Sequence, residues 1–574
     1  MMKYEGENSY PEPGLRRKIW QSLNGEWQFK FGDDGNYDRI IRVPYAYQSE
    51  ASGIGDVTQH DIFWYRRKFL PTEEIRRCKT VYLNFLAVDY ECRVYVNGKF
   101  VTAHEGGYGS FGVDIKPYLT DEKEQKIEVR VYDPMTKAIP RGKQNWAEGQ
   151  QRCWYHCTSG IWQSVWLDGA NGDYATDVRF VTDVGKTQVC AYVETDYGKA
   201  DELVAVVKTP HGNEKTFSST TVQDKTLMLN MGFDKPDCID DIHLWTVDHP
   251  KLYETKLYLK RRGEVLDEVE TYFAFRKIHT EKGRVYINDV PIELRMILNQ
   301  GYWEGYGMTA PSAESFKEDI LIAKEMGFNG MRVHQKVDDP WLYYYADTLG
   351  FYVWAETPSA YAFGPPTTKS ILNLQADIVK RVYNHPSVIA YVPFNESWGV
   401  KEIQHNKQEQ SLAKCAYWLI KSLDDSRLVI TNDGWENLEL SDIIGVHDYS
   451  KYGDEFPTKF KDVTETLVPA GRRIMVQGDK IVGQPIMLTE FGGVALSGDG
   501  GWGYNGAEKD VEAFMQRFEQ LYQNVSACDF CGWCYTQLTD VEQETNGLLD
   551  GNHKPKFDLK KIRAVIEKYG KIYY

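Results

Sequence analysis

Beyond Glu281 the chain takes on a rhythm that few folds accommodate: short apolar segments alternate with longer amphipathic ones. The apolar segments predict strands over 294–298, 328–333, 351–355, 388–394, 428–431, 444–447, 486–489 and 530–534. Between them, "SAESFKEDILIAKEMG" closes on Gly327, and "VEAFMQRFEQLYQN" puts Val511, Phe514, Met515, Phe518, Leu521 and Tyr522 on one helical face. Eight strands and about eight helices in about 290 residues match the count and size of a (β/α)8 barrel. Barrel active sites gather where the strands end, so chemistry is expected from strand-terminal residues.

The preceding half reads as all-β. Alternating segments such as "TVYLNFLAVDYECRVYVNGKFV", with a hairpin signal at Asn97-Gly98, predict a β-sandwich over 1–170. A second sandwich of immunoglobulin-like size is expected over 171–279, which leaves 280–574 for the barrel. The formal net charge of -16, with no long basic block, argues against a nucleic-acid partner. No run approaches the roughly 20 apolar residues that span a bilayer. The opening "MMKYEGENSYPEPGLRRKIW" lacks the apolar stretch of a signal peptide, so a cytoplasmic protein is expected. Cys528, Cys531 and Cys534 have metal-like spacing, but thiols along one strand do not point the same way and no fourth ligand is near, so reduced thiols and no metal are expected.

Two carboxylates meet the strand-end criterion. Glu396 follows "VIAYVPFN", and Glu490 follows "PIMLT". Burying a carboxylate there is costly unless it is paired or used. Carboxylates on the fourth and seventh strands can reach one bond across the mouth, the arrangement that glycoside hydrolysis needs. A separation of about 5 Å would imply retention of configuration.

These residues sit in motifs that carry a family resemblance over nearly the whole chain: "SLNGEWQFKF", "VNGKFVTAHEGGYGSFGVDI", "SGIWQSVWL", "LWTVDHPKLY", "NHPSVIAYVPFNESWG" and "PIMLTEFGG". The chain resembles glycoside hydrolase family 2, the group of β-galactosidase, β-glucuronidase and β-mannosidase. The resemblance implies a jelly-roll sandwich, an immunoglobulin-like domain and a TIM barrel. It implies Glu396 as acid/base, Glu490 as nucleophile, no cofactor, a carbohydrate substrate and, as in many members, a homo-oligomer of unspecified size. Asn395 matches the family residue that contacts the sugar 2-hydroxyl. The acid/base is expected to have a raised pKa from the charge of the nucleophile.

His447 and Tyr449 resemble residues flanking the nucleophile, Trp533 resembles a platform under the sugar ring, and Arg332 resembles the arginine that keeps the nucleophile ionised. His334 fits less well, because the family's histidine falls one residue later, at Gln335. The sequence departs from the family at Leu298 and Gln300 after the first strand, and at Trp154, where many members carry an Asp. Gln300, Tyr302, Trp303 and Trp154 are therefore expected to shape the sugar pocket, and Trp398 of "NESWG" is expected among the substrate-binding residues. β-Glucuronidases share an Asn-x-Lys pair for the sugar carboxylate, and Asn552 and Lys554 have that spacing in a loop that aligns elsewhere. The leading expectation is a retaining exo-β-glycosidase resembling β-galactosidase. β-Glucuronidase, α-L-arabinopyranosidase and a non-catalytic carbohydrate-binding protein are the alternatives.

Overall fold

In the computed structural model, residues 9–147, 149–233, 242–498 and 500–571 are described. The first eight residues, part of the opening stretch considered above, lie outside them.

The amino-terminal sandwich packs a four-stranded sheet against a six-stranded one. The strand Gln125–Tyr132 shows why: Ile127, Val129 and Val131 are buried and the residues between them are half-buried, the period of a strand with one covered face. Asn97 and Gly98 both take positive φ, 50° and 79°, and bring Val96 opposite Lys99 in a tight hairpin. The second sandwich has a five-stranded and a four-stranded sheet, and Leu15–Arg16 from the start of the chain pairs with Thr271 and Glu270 in the former.

The remainder is the (β/α)8 barrel. Its parallel strands are β1 (Leu294–Asn299), β2 (Gly330–Val333), β3 (Tyr352–Glu356), β4 (Val388–Val392), β5 (Leu428–Val429), β6 (Ile444–His447), β7 (Ile486–Gly492) and β8 (Gly532–Thr536). The sheet order is β5-β4-β3-β2-β1-β8-β7-β6, so β1 meets β8 and the sheet curls back on itself. Among the described residues no ladder joins β5 to β6; Asp442 N–H donates to Val429 O at 2.9 Å, and Asn437 Nδ2 donates to Gly445 O at 3.0 Å. The segment 430–443 between them carries no helix, against the eight expected. Its "TNDGWENLELSD" has turn residues where a helix would need a 3.6-residue apolar period. The helices are α1 (Ala313–Glu325), α2 (Pro340–Leu349), α3 (Pro365–Val382), α4 (Lys407–Leu423), the single turn α5 (Phe456–Lys459), α6 (Val511–Ser526) and α7 (Leu559–Tyr569). None is long and apolar enough to cross a membrane.

A loop of the first sandwich enters the barrel mouth. The N–H groups of Arg141 and Gly142 donate to Ser359 O, at 2.9 and 3.0 Å, and Tyr361 N–H donates to Lys137 O at 2.8 Å. Gly142 has φ +62°, and a Cβ there would lie 2.2 Å from Gln335 O. Only glycine tolerates both the backbone and the approach. Gly142→Ala is expected to cost about 1–3 kcal/mol, read as a lowered thermal midpoint, through strain and a displaced loop.

Candidate active site

The fourth strand ends at Val392, and Glu396 stands beyond it on a turn. Glu396 and Ser397 have φ 53° and 57°, consecutive left-handed residues without glycine. Such strain persists only where the surroundings fix it. Here Glu396 N–H donates to Asp433 O at 2.9 Å, Ser397 N–H to Asn432 Oδ1 at 3.0 Å, and Trp398 N–H to Asn395 O at 3.0 Å. The 430–443 segment thus braces the turn that aims Glu396.

Glu490 lies within β7 and is 4% exposed. Tyr449 OH donates to its Oε2 at 2.7 Å, and Arg332 Nη1 donates to its Oε1 at 3.2 Å. Arg332, fully buried on β2, also donates from Nε to Glu356 Oε1 at 2.6 Å, from Nη2 to Asn395 Oδ1 at 3.1 Å and from Nη1 to Thr489 O at 2.6 Å, and it pairs with Asp433 at 2.9 Å. One planar guanidinium therefore locks the ends of β2, β3 and β7 and the loops after β4 and β5.

His447 joins the two glutamates. Its Nδ1 lies 2.9 Å from Glu396 Oε1 and 3.4 Å from Glu490 Oε2, and its Nε2 lies 3.0 Å from Asp433 Oδ2. Ligand atoms of Glu396, His447 and Glu490 all fall within 4.8 Å of one another, a set that has the donors for a cation as well as for proton transfer. Burial disfavours the charge of His447, but Glu490, Asp433 and Glu396 outweigh it and push its pKa up to about 10.

That imidazolium changes the electrostatics expected for the carboxylates. Burial pushes Glu396 up, but His447, by hydrogen bond and charge, and then Lys143 bring it below the usual glutamate value. Burial leads for Glu490 as well and keeps it above that value, although His447 and Arg332 pull it down. The raised pKa expected for Glu396 from like-charge repulsion is thus reversed, and Glu490 is the one of the two carboxyls that stays raised. The histidine between the two groups carries the proton.

Gln300 and His334 are buried beside Glu490: His334 Nδ1 is 2.9 Å from Gln300 Oε1, and its Nε2 is 3.6 Å from Glu490 Oε1. Trp154 arrives on the sandwich loop and meets Trp398 edge-on at 5.3 Å, with Tyr361 5.3 Å from Trp398. Trp533 is not at the mouth. It is the second residue of β8, 3% exposed, and packs on Tyr522 of α6 at 4.8 Å, with Phe328 and Phe491 nearby. The expectation ended this strand at residue 534, whereas it runs to Thr536, so Trp533 lies below the mouth, and it packs among helix residues while Cys534 faces the barrel interior. Asn552 donates to Glu304 Oε2 at 2.7 Å from an exposed turn that also holds Lys554. Cys528, Cys531 and Cys534 are free and buried, and burial pushes Cys528 and Cys531 up to about 11 and 12.

The sequence reading missed Glu356, Asp433 and Tyr504. Glu356 closes "FYVWAE" at the end of β3, so the strand-end criterion could have found it. Asp433 lies in an irregular loop, and Tyr504 stacks on Tyr449 at 3.6 Å from a distant one; neither carries a local signal.

Residues 278–570 match the family model described as Glycosyl hydrolases family 2, TIM barrel domain. Residues 172–276 match Glycosyl hydrolases family 2, and residues 38–162 match Glycosyl hydrolase 2 galactose-binding domain-like. A beta-galactosidase of Thermoanaerobacter pseudethanolicus is 27% identical over 83% of this chain and 65% of its own length. A putative beta-glucuronidase of Formosa agariphila is 25% identical over 76% of this chain and 53% of its own length, so the chain spans less than two thirds of either relative. A beta-glucuronidase of Streptococcus agalactiae is 23% identical over 93% of this chain and 92% of its own. Among solved structures, a GH2 beta-galacturonidase from Eisenbergiella tayi superposes with TM-score 0.75 at 17% identity, covering 99% of this chain and 100% of that one. At that identity the likeness concerns the fold.

Proposed function

Because the chain belongs to glycosyl hydrolase family 2, we propose that it is a retaining exo-β-glycosidase acting on a terminal, non-reducing β-galactoside. The observation that carries the mechanism is the approach of Glu396 and Glu490, with carboxylate oxygens within 4.8 Å of each other. A gap that narrow suits direct attack by one carboxylate, since the inverting arrangement needs about 6.5–9.5 Å to admit water.

In this reading Glu490 attacks the anomeric carbon while the leaving oxygen takes a proton from Glu396. The glycosidic C–O bond breaks, and a glycosyl ester on Glu490 forms. Glu396, now a base, draws a proton from water, which attacks the same carbon and frees Glu490. Arg332 occupies Asn395 Oδ1, which leaves the Asn395 Nδ2 as donor to the sugar 2-hydroxyl. Glu396 gets its proton from His447 Nδ1, 2.9 Å away. The pair is protonated at neutral pH and loses that proton as pH rises through about 10. The alkaline limb of kcat/KM is therefore expected near there, and His447→Asn should shift it toward neutral; an unmoved limb in the variant would contradict the shared proton.

Two observations favour the galactoside over the glucuronide. The similar Thermoanaerobacter protein is named a beta-galactosidase, and Asn552 of the Asn-x-Lys pair gives its amide to Glu304. β-Glucuronidase is the second reading, supported by the Streptococcus relative that matches along nearly its full length. A panel of nitrophenyl β-galactoside, β-glucuronide, α-L-arabinopyranoside and β-mannoside separates them. Galactoside turnover with a β-configured first product is expected. Glucuronide turnover in its place would transfer the assignment, and no turnover of any would favour a carbohydrate-binding role.

A further inference from the structure

His334 stands at one end of a buried line of hydrogen bonds that leads away from the nucleophile. Its Nδ1 is 2.9 Å from Gln300 Oε1. Gln300 Nε2 donates to Gln537 Oε1 at 2.9 Å, and Gln537 Nε2 donates to Asn546 Oδ1 at 2.8 Å. Asn546 Nδ2 donates to Glu544 Oε1 at 3.1 Å, and Tyr155 OH, from the sandwich loop, donates to Glu544 Oε2 at 2.7 Å. Every member of the line is at least nine-tenths buried.

The line has a direction. A carboxylate only accepts, so the side of Asn546 that meets Glu544 must be its NH2. An amide that presents NH2 on one side presents oxygen on the other. Asn546 therefore turns oxygen to Gln537, which must offer NH2 and turn its own oxygen to Gln300. Gln300 does the same and ends with oxygen toward His334. The imidazole must then donate from Nδ1. Burial, reinforced by the charges of Lys143, Arg332 and His447, holds the pKa of His334 well below the usual histidine value, so the ring is neutral and its Nε2 is bare. Gln335 Nε2, 3.5 Å from that nitrogen, stands on the side from which a donor would approach a bare Nε2.

We propose that Glu544 is a positioning residue that, through Asn546, Gln537 and Gln300, sets the Nδ1–H tautomer of His334. The consequence for catalysis rests on Glu490 being the nucleophile. With the proton on Nε2, His334 would donate toward Glu490 Oε1, 3.6 Å away, and draw electron density from the attacking oxygen. With Nε2 bare, Glu490 keeps its nucleophilicity, and a hydroxyl of the bound sugar finds an acceptor beside it. A carboxylate on the loop after β8 thus acts on the nucleophile without touching it.

The test is histidine-selective 15N spectroscopy of the full-length protein at neutral pH, with the His334 signals identified by their loss in His334→Gln. The wild type is expected to show a protonated Nδ1 and an unprotonated Nε2. Glu544→Gln removes the acceptor-only anchor and lets the amides reverse, so the proton should move partly or wholly to Nε2, and kcat/KM should fall about tenfold or more. Glu544→Gln combined with Asn546→Asp restores a carboxylate one place along with the same polarity, and should recover both the Nδ1–H signal and most of the rate. A wild-type His334 protonated at Nε2 would overturn the proposal, as would a Glu544→Gln spectrum identical to wild type. If Glu544→Gln does not fold, the wild-type and double-variant spectra decide. The spectra need no substrate, so a protein that turns over no glycoside would defeat the functional reading and leave this one standing or falling by itself.

Discussion

Glu490→Ala is expected to lower kcat on the order of 10⁴-fold or more, with the fold intact, because in the proposed mechanism it removes the atom that forms the covalent intermediate. The chemistry left behind gives a sharper test than the loss. Glu490 oxygens are held by Tyr449 OH at 2.7 Å and Arg332 Nη1 at 3.2 Å. Truncation leaves a methyl-lined space between a hydroxyl donor and a guanidinium, with His447 close by, which suits a small anion. Added azide should enter it and attack the anomeric carbon of an activated nitrophenyl glycoside. One displacement in place of two gives a glycosyl azide of inverted, α configuration, identified by the coupling constant of its anomeric proton. An azide product of retained configuration would put the nucleophile elsewhere, and wild-type turnover without azide would remove Glu490 from the mechanism.

The barrel was legible because buried parallel strands are apolar throughout and short. β6 was read at its observed bounds, 444–447, and β1, β2 and β3 within a couple of residues. The same reading failed where periodicity is silent. β8 is apolar on both faces, so nothing local says whether Trp533 or Cys534 points inward, and ending the strand two residues early put Trp533 at the mouth. The missing helix after β5 has the same origin, since 430–443 is built by side-chain caps from Asn432, Asn437 and Asp442 in place of a repeating pattern. The sequence singles out the two glutamates because each follows an apolar run, although Glu490 falls within its strand. Their electrostatics were not legible, because the imidazolium that lowers Glu396 comes from β6, 51 residues from one and 43 from the other in sequence. The tautomer relay is still less visible: Gln300, Gln537 and Asn546 become neighbours only when β1 and β8 close the sheet.

Arg332→Leu tests whether this cluster stabilises the fold as well as the reaction. Arg332 is the cation shared by Glu356, Asp433 and Glu490, all of them nearly or fully buried. Removing it strands buried carboxylates and is expected to cost about 3–5 kcal/mol, the usual penalty for breaking a buried pair from one side. Burial opposes ionisation of Asp433, yet Arg332 and His447 hold its carboxyl down at about 2. A folded-state pKa below the unfolded value contributes stability that is present above the unfolded pKa of about 4 and is lost as pH falls through 2. Without Arg332 burial prevails, the folded-state values rise above the unfolded ones, and the sign reverses. The carboxylates then favour folding below about pH 4 and oppose it as pH rises. Glu356, which burial already lifts to about 7 against the pull of Arg332, should rise further. The stability gap between wild type and variant, measured by urea denaturation, should therefore be widest at neutral pH and narrow toward pH 4. A gap that is constant with pH would mean that Arg332 contributes packing and not charge. A gap that widens in acid would contradict the linkage.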